Sequence, residues 1–290
     1  MPTPRTRALA ILSALAVLLG ACDGGSADPP DRPRNGGRTR TPQVVGSVRP
    51  PPAIAPGPML LASSFERPIC GRYQHPGPGC EFGYEGADLE TGAFECRTGP
   101  RCLRIGRQSH SHMGVIREVP LPGGHAFVSV AHRVPEIPDG AIPSDPGYLE
   151  LLQLSPTDGA FDRPGYPVEV RLYPDRRLGL ALYREKDEGI TRDPIPVDEW
   201  FTTIVELTNG SPATQRMWLF DGQDRLVDYV EIELRTAQPW PHDDRTAQKV
   251  GGATSTLVPM DTFEDDWYIA ETFMGPLHLG PAGAPSPDPG

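Results

Sequence analysis

Two short segments carry the densest alternation of reactive and aromatic side chains in this chain. In residues 168–173, Glu169, Arg171 and Tyr173 alternate with Val168, Val170 and Leu172; in residues 178–183, Gly179, Ala181 and Tyr183 alternate with Leu178, Leu180 and Leu182. Successive strand side chains point to opposite faces, so pairing of the two segments must put both aliphatic sets on one face and both polar sets on the other. Cross-strand residue numbers must then sum to an even value, which excludes a two-residue turn at Asp175 and Arg176. An odd loop is required, for example one that sets Tyr173 opposite Gly179. The polar face is a shallow trough of charged and aromatic groups beside two small residues, a surface on which sugar rings stack. Its binding groups are Gln153, Glu169, Arg171, Tyr173 and Tyr183. The same region suits a second chemistry, because Arg117, His132, Arg171 and Tyr183 combine a cation that neutralises a carboxylate with an imidazole or phenol that removes the proton α to it.

Other reactive groups are less productive. His110 and His112 project to one side of an extended segment, but no third ligand or carboxylate lies near them in sequence, so they read as a solvated loop. Trp240, between Pro239 and Pro241, is hard to bury and is available to a ligand or partner, whereas Trp200, Trp218 and Trp267 sit at strand positions and read as core. Asp221 to Asp224 reads as a hairpin turn in which Gly222 supplies a positive φ. Cys70, Cys80, Cys96 and Cys102 are even in number and suit two disulfides in an exported chain, with three pairings open. Sequence-local pairing would close two short loops. A four-cysteine zinc site fits less well, since the gaps exceed the short knuckle spacing.

The elements that must position these groups are strands. Alternation bounded by turn residues marks segments 59–65, 101–105, 114–119, 126–134, 148–154, 168–173, 178–183, 201–207, 216–220, 226–233, 247–254 and 266–273. No stretch has helical periodicity, and Pro recurs too often for one. Residues 59–279 carry a net charge of −14. That sign disfavours nucleic acid, whose binding is dominated by Lys and Arg contacts to phosphate. Neutral sugars, proteins and cations are the more natural partners, and nothing calls for more than a monomer.

The first residues are of another kind. Arg5 and Arg7 precede an apolar run over residues 8–19, too short for a permanent span of ~20 residues, followed by Leu19, Gly20, Ala21 and Cys22. This resembles a bacterial lipoprotein signal, which implies removal of residues 1–21, a diacylglycerol on the Cys22 sulfur and a membrane-anchored protein on the extracytoplasmic side of the cell envelope. Residues 22–58 are rich in Pro, Gly and Arg and nearly empty of large apolar side chains, the composition of a disordered tether. Such a tether spans roughly 33 Å as a flexible coil. Residues 280–290 read as a frayed tail.

The order of motifs carries a further resemblance. Ser64-Phe65-Glu66 opens the domain, Arg101-Cys-Leu-Arg-Ile105 and Asp198-Glu-Trp-Phe201 follow, and Met217-Trp-Leu-Phe-Asp-Gly222 and Trp267-Tyr-Ile-Ala-Glu271 close it. Together these resemble the concanavalin A-like lectin/glucanase superfamily, which implies an all-β, two-sheet antiparallel jelly-roll sandwich over residues 59–279 with one concave sheet. Within it, Tyr148-Leu-Glu-Leu-Leu-Gln153 is similar to the heparin-lyase-like polysaccharide lyases, which implies a uronate-containing glycan as substrate. The chain departs from those lyases in having Leu154-Ser155-Pro156 where they place a His, and it lacks the Glu-x-Asp-x-x-Glu strand of the retaining glucanases. The resemblance also implies a structural Ca²⁺ between the first and last strands, with Glu66, Asp265 and Asp266 as its ligands. Carbohydrate binding without catalysis, polysaccharide lysis and a structural or protein-binding role are the three functions these residues allow, in that order.

Overall fold

Alternation in the sequence becomes strand pairing almost throughout, and no helix occurs among the described residues. The computed structural model describes residues 49–67, 69, 71–72, 75–76, 83–85, 89–107, 113–120, 125–144, 147–156, 168–182, 188–208, 213–234, 245–252 and 256–280. The leader, Cys22, Cys70, Cys80, His110, His112, Tyr183 and Trp240 lie outside them. In chain order the strands are β1 (Met59–Ser63), β2 (Gly71–Arg72), β3 (His75–Pro76), β4 (Gly83–Glu85), β5 (Leu89–Gly92), β6 (Cys102–Gly106), β7 (Met113–Pro120), β8 (His125–Arg133), β9 (Leu149–Pro156), β10 (Val168–Leu172), β11 (Leu178–Leu182), β12 (Glu188–Ile190), β13 (Trp200–Thr208), β14 (Ala213–Phe220), β15 (Leu226–Leu234), β16 (Arg245–Gly252) and β17 (Asp261–Ala270).

They form two sheets. The first runs β15-β14-β13-β8-β17-β6-β5, with β1 also paired to β17; the second runs β12-β11-β10-β9-β16-β7-β4-β2-β3. Pairing among the described strands is antiparallel, apart from a single parallel contact between Arg72 and Tyr84. This is the all-β jelly-roll-type sandwich that the alternation and motif order imply. Val128, Val130, Phe201 and Val205 of the first sheet meet Leu152, Leu154, Val168, Val170 and Leu180 of the second in one continuous apolar core. Each such side chain contributes about 1.5–3 kcal/mol on burial.

The β10–β11 hairpin obeys the parity argument but not the illustrative register. Arg171 stands opposite Gly179 and Glu169 opposite Ala181, while Tyr173 N–H donates to the Arg177 carbonyl at 3.0 Å, not to Gly179. The loop is three residues long, with Arg176 N–H donating to the Tyr173 carbonyl at 2.9 Å and Arg176 at φ 65°. A type I turn followed by a left-handed residue is the common three-residue hairpin, and it keeps both aliphatic sets inward. The turn after β14 is built the same way, and here the sequence reading is corrected: Asp224, at φ 59°, takes the left-handed position, not Gly222. Gly222 is instead a close approach, where a Cβ would stand 3.0 Å from the Trp200 carbonyl oxygen.

The face of the first sheet turned away from the core is covered. Phe127, Ile204, Trp218, Phe220 and Tyr229 form a second apolar cluster capped by Phe273, and Tyr268, Ala270 and Leu279 form a third with Met59 and Leu277 packed against it. Trp218 and Trp267 are buried as read from their strand positions, whereas Trp200 is half-buried, with Arg133 5.9 Å above its ring. The cover is the segment after β17, which is joined by the segment before β1: Ala55 N–H donates to the Phe273 carbonyl at 3.0 Å, and Thr272 Oγ1 donates to the Ala55 carbonyl at 3.0 Å. Backbone pairing thus extends toward the N-terminus past residue 58, where the tether was drawn to end. β17 itself lies at Asp261–Ala270, not 266–273, because its inward residues at the start, Thr262 and Glu264, are polar and do not read as a strand.

Candidate functional site

On β10 the aliphatic residues turn inward, so Glu169 and Arg171 lie on the outer face of the second sheet. Cross-strand partners share a face, which brings Gln153 beside Glu169, Glu150 beside Arg171, and Gly179, Ala181 and Glu188 on the far side. The Arg171 guanidinium is the centre. Its Nε and Nη2 donate to Glu169 Oε2 at 2.8 and 2.7 Å, its Nη1 donates to Glu188 Oε1 at 3.4 Å, and its Cζ lies 4.1 Å from the centroid of the Tyr148 ring. Tyr173 donates its hydroxyl to Glu188 Oε1, and its ring meets Tyr148 edge-on at 6.3 Å. Gly179 is required beneath them, since a Cβ there would fall 2.8 Å from both Glu188 Oε1 and Tyr173 Cε2.

Exposure is graded across this face. Glu169 is fully buried and Glu150 nearly so, whereas Tyr148, Gln153, Tyr173 and Glu188 are half-buried and present the accessible surface. Burial, with the charge of Glu150 adding to it, pushes the Glu169 carboxyl up to about 7 against the opposing pull of Arg171. Burial likewise raises Glu188, and pushes the Tyr148 phenol up to about 12. Gln153, Glu169, Arg171 and Tyr173 are therefore brought together as the sequence proposes. Tyr148, Glu150 and Glu188 were not among the binding groups read from it.

The proton-abstracting quartet is not assembled. His132, on β8 of the other sheet, faces the core, where it is fully buried between Glu264 Oε2 at Nδ1 and Thr203 Oγ1, 3.0 Å from Nε2. Arg171 is on the opposite side of the second sheet. Arg117 stands opposite Gln248 on β7, separated from β10 by β16 and β9, and its side chain, like Tyr183, lies outside the described residues. Sequence could not show that β8 and β10 belong to different sheets.

The carboxylates proposed for calcium are occupied by the protein. Asp266 Oδ1 accepts hydrogen bonds from Thr98 Oγ1 at 2.5 Å and Leu279 N–H at 2.7 Å, and its Oδ2 accepts from Arg97 Nη1 at 3.2 Å. Asp265 accepts from Thr98 N–H at 2.9 Å and Asp266 N–H at 2.8 Å, and Glu66 from Arg101 N–H at 3.3 Å. Calcium needs six to eight oxygens. Among the described residues no three His, Cys, Asp or Glu side chains converge on a metal position, and here a guanidinium supplies the positive charge. These residues do not fit the ion. Arg97 and Thr98 are delivered by the loop closed by the Cys96–Cys102 disulfide, one of the sequence-local pairings, with Cα atoms 5.4 Å apart. Its formation leaves no four-cysteine shell for zinc.

No family model matches the chain, and no curated protein matches it. Among solved structures, it is similar to an endo-β-1,4-glucuronan lyase from the fungus Trichoderma reesei, at 15% identity over 68% of this chain and 90% of that one, with a TM-score of 0.41. It is also similar to lectin I from Ulex europaeus in complex with the methyl glycoside of α-L-fucose, at 13% identity over 63% and 92% with a TM-score of 0.39. A third similar structure is the binding domain of the Paraclostridial Mosquitocidal Protein 1, at 11% identity over 74% of this chain and 49% of that one, with a TM-score of 0.45.

Proposed function

We propose that this chain is an envelope lipoprotein, anchored through the lipid on Cys22, whose β-sandwich binds a glycan or cell-wall polysaccharide as a monomer without altering it chemically. The observation that carries this reading is the Arg171 guanidinium, stacked on Tyr148 and held by Glu169 and Glu188 beside the half-buried Tyr173 and Gln153. It is a polar and aromatic platform on the outer face of the second sheet. Side chains fixed before binding lose little entropy when a ligand arrives, and Tyr rings offer large contact area with few rotatable bonds.

Lysis of a uronate polymer is less well served. It needs a cation free to neutralise the substrate carboxylate and a base beside it. Arg171 is already neutralised by two carboxylates, His132 is buried in the other sheet, and Tyr148 holds its proton up to about pH 12. A glycan array with the full-length protein tests the proposal, alongside the ultraviolet absorbance of unsaturated products from uronate polymers. Binding that disappears in Tyr173→Ala, with unchanged circular dichroism and no absorbance rise, is the expected result. A rise in absorbance would establish the lyase instead, and silence in both assays would leave a structural surface module.

A further inference from the structure

We propose that Arg176, which lies outside the platform, is the residue that positions Tyr173 for ligand binding. The ligand half of this inference rests on the carbohydrate reading above; the placement of Tyr173 does not. A backbone conformation is the first observation. Arg176 stands at φ 65° in the third position of the loop that joins β10 to β11. Glycine fills such a left-handed position without cost, and asparagine and aspartate tolerate it better than a long side chain does. Asp224, at the same position of the turn after β14, ties that turn to Arg97 and His278. An arginine held there against its own backbone preference has a use for its side chain.

The guanidinium grips two other segments through their backbone. Its Nε donates to the Ile195 carbonyl at 3.2 Å, its Nη1 to the Pro135 carbonyl at 2.8 Å, and its Nη2 to the carbonyls of Val134, at 2.8 Å, and Pro196. Ile195 N–H donates back to the Arg176 carbonyl at 2.9 Å. One half-buried side chain of the second sheet thus ties the hairpin tip to the segments that leave β8 and enter β13 in the first. Tyr173 is the residue on which this tie acts. Its carbonyl accepts from Arg176 N–H at 2.9 Å and its N–H donates to the Arg177 carbonyl at 3.0 Å, so its backbone is fixed by the same turn. Its ring must then meet Tyr148 edge-on and its hydroxyl must reach Glu188, above Gly179, where a Cβ would not fit. A displaced tip would lose that fit. A held tip sets Tyr173 before a ligand arrives, which lowers the ordering cost of binding.

Arg176→Gly removes the side chain and relieves the backbone, so the hairpin should still form; Arg176→Asn, which also tolerates the left-handed position, takes its place should the first not fold. The full-length protein is labelled with 3-fluorotyrosine, and the fluorine resonances of Tyr173, Tyr229 and Tyr268 are identified by their loss in the corresponding Phe variants. In Arg176→Gly the Tyr173 resonance is expected to shift while those of Tyr229 and Tyr268, in the first sheet, stay in place. Affinity for the array glycan that the parent binds most tightly is expected to fall at least tenfold. Arg177→Ala removes a side chain that bonds only Asp175 of the same turn, and it should change neither. An unmoved Tyr173 resonance, equal movement of the first-sheet resonances, the same changes in Arg177→Ala, or full affinity in Arg176→Gly would overturn the positioning role while leaving carbohydrate binding in place. A shifted Tyr173 resonance in a protein whose parent binds no glycan would overturn the carbohydrate reading and keep the placement of Tyr173.

Discussion

Replacing Arg97 by Met should loosen the cover of the first sheet. Arg97 is carried by the disulfide loop, its side chain is 4% exposed, and it pairs with Asp266, which is fully buried, and with Asp224. Its Nη1 also donates to the Leu277 carbonyl at 3.2 Å. Methionine keeps the apolar stem and removes the charge, leaving the carboxylates of Asp265 and Asp266 buried without a cation. Breaking a buried pair in this way costs about 3–5 kcal/mol. At roughly 2–4 °C per kcal/mol for a domain of this size, Tm should fall by about 6–20 °C at pH 7.5, as followed by circular dichroism. The pH dependence identifies the cause. Burial, aided by Asp266, pushes the Asp265 carboxyl from its ordinary 3.8 up to about 8. A carboxyl raised on folding contributes stability that is complete below its unfolded pKa and is lost as pH rises through the folded one. Removing the guanidinium raises the pair further, so the deficit of the variant should shrink between pH 7.5 and pH 5. Adding Asp266→Asn should recover part of it at pH 7.5. A Tm within about 3 °C of the parent, or a deficit that grows toward pH 5, would refute the reasoning.

Three further outcomes follow from the same contacts. Replacing Cys96 and Cys102 together by Ser should cost about 2 kcal/mol by freeing a short loop, and limited proteolysis should then cut within residues 271–280 faster than in the parent. Phe273→Ala removes the ring that caps Phe127, Trp218 and Phe220, with an expected loss of about 3–5 kcal/mol in denaturant unfolding and increased binding of a hydrophobic dye. Glu169→Gln deletes a carboxyl raised on folding from 4.5 to about 7; the parent should lose stability across that window as pH rises, and the variant should show a flatter profile in thermal melts from pH 4 to 8.

What the sequence made legible was whatever follows from a two-residue period. Val168, Val170 and Leu172 against Leu178 and Leu180 require an odd loop, and the observed loop has three residues. That parity alone put Glu169, Arg171 and Tyr173 on one face. It failed where the period is broken. In β9 the partner of Val170 is Leu152, but the partner of Arg171 is Glu150, so Leu151 is an extra residue and the alternation flips there. Read at constant period from Gln153, Glu150 belongs inside; the bulge turns it outward to Arg171. Glu188 was missed for a different reason, since β12 has only three residues, too few for a periodic signal. His132, Asp265 and Asp266 stand out in the sequence as candidate site residues because they are polar side chains on strands. Here their partners come from distant segments, 132 residues away for His132 with Glu264 and 167 for Asp265 with Thr98.

The bulge in β9 also explains how the two faces of the second sheet are coupled. Arg107, fully buried at the end of β6, extends from the first sheet across the core to donate to the Glu150 carbonyl at 2.9 Å, while its Nε donates to Thr262 Oγ1 at 3.1 Å. A buried guanidinium with one fork on each sheet fixes their separation at that point, and its bond to the bulge holds the flipped alternation that sends Glu150 outward. Glu264 lies in the same internal network and supplies its counter-charge, while also accepting from His132, the imidazole read from sequence as a possible base. The polar residues inside the sandwich are therefore spent on positioning the polar residues outside it. The segments before β1 and after β17 cover the outer face of the first sheet through Ala55 and Phe273, beside the Arg97 clasp. On the outer face of the second sheet, Glu169 and Glu188 both hold the Arg171 guanidinium.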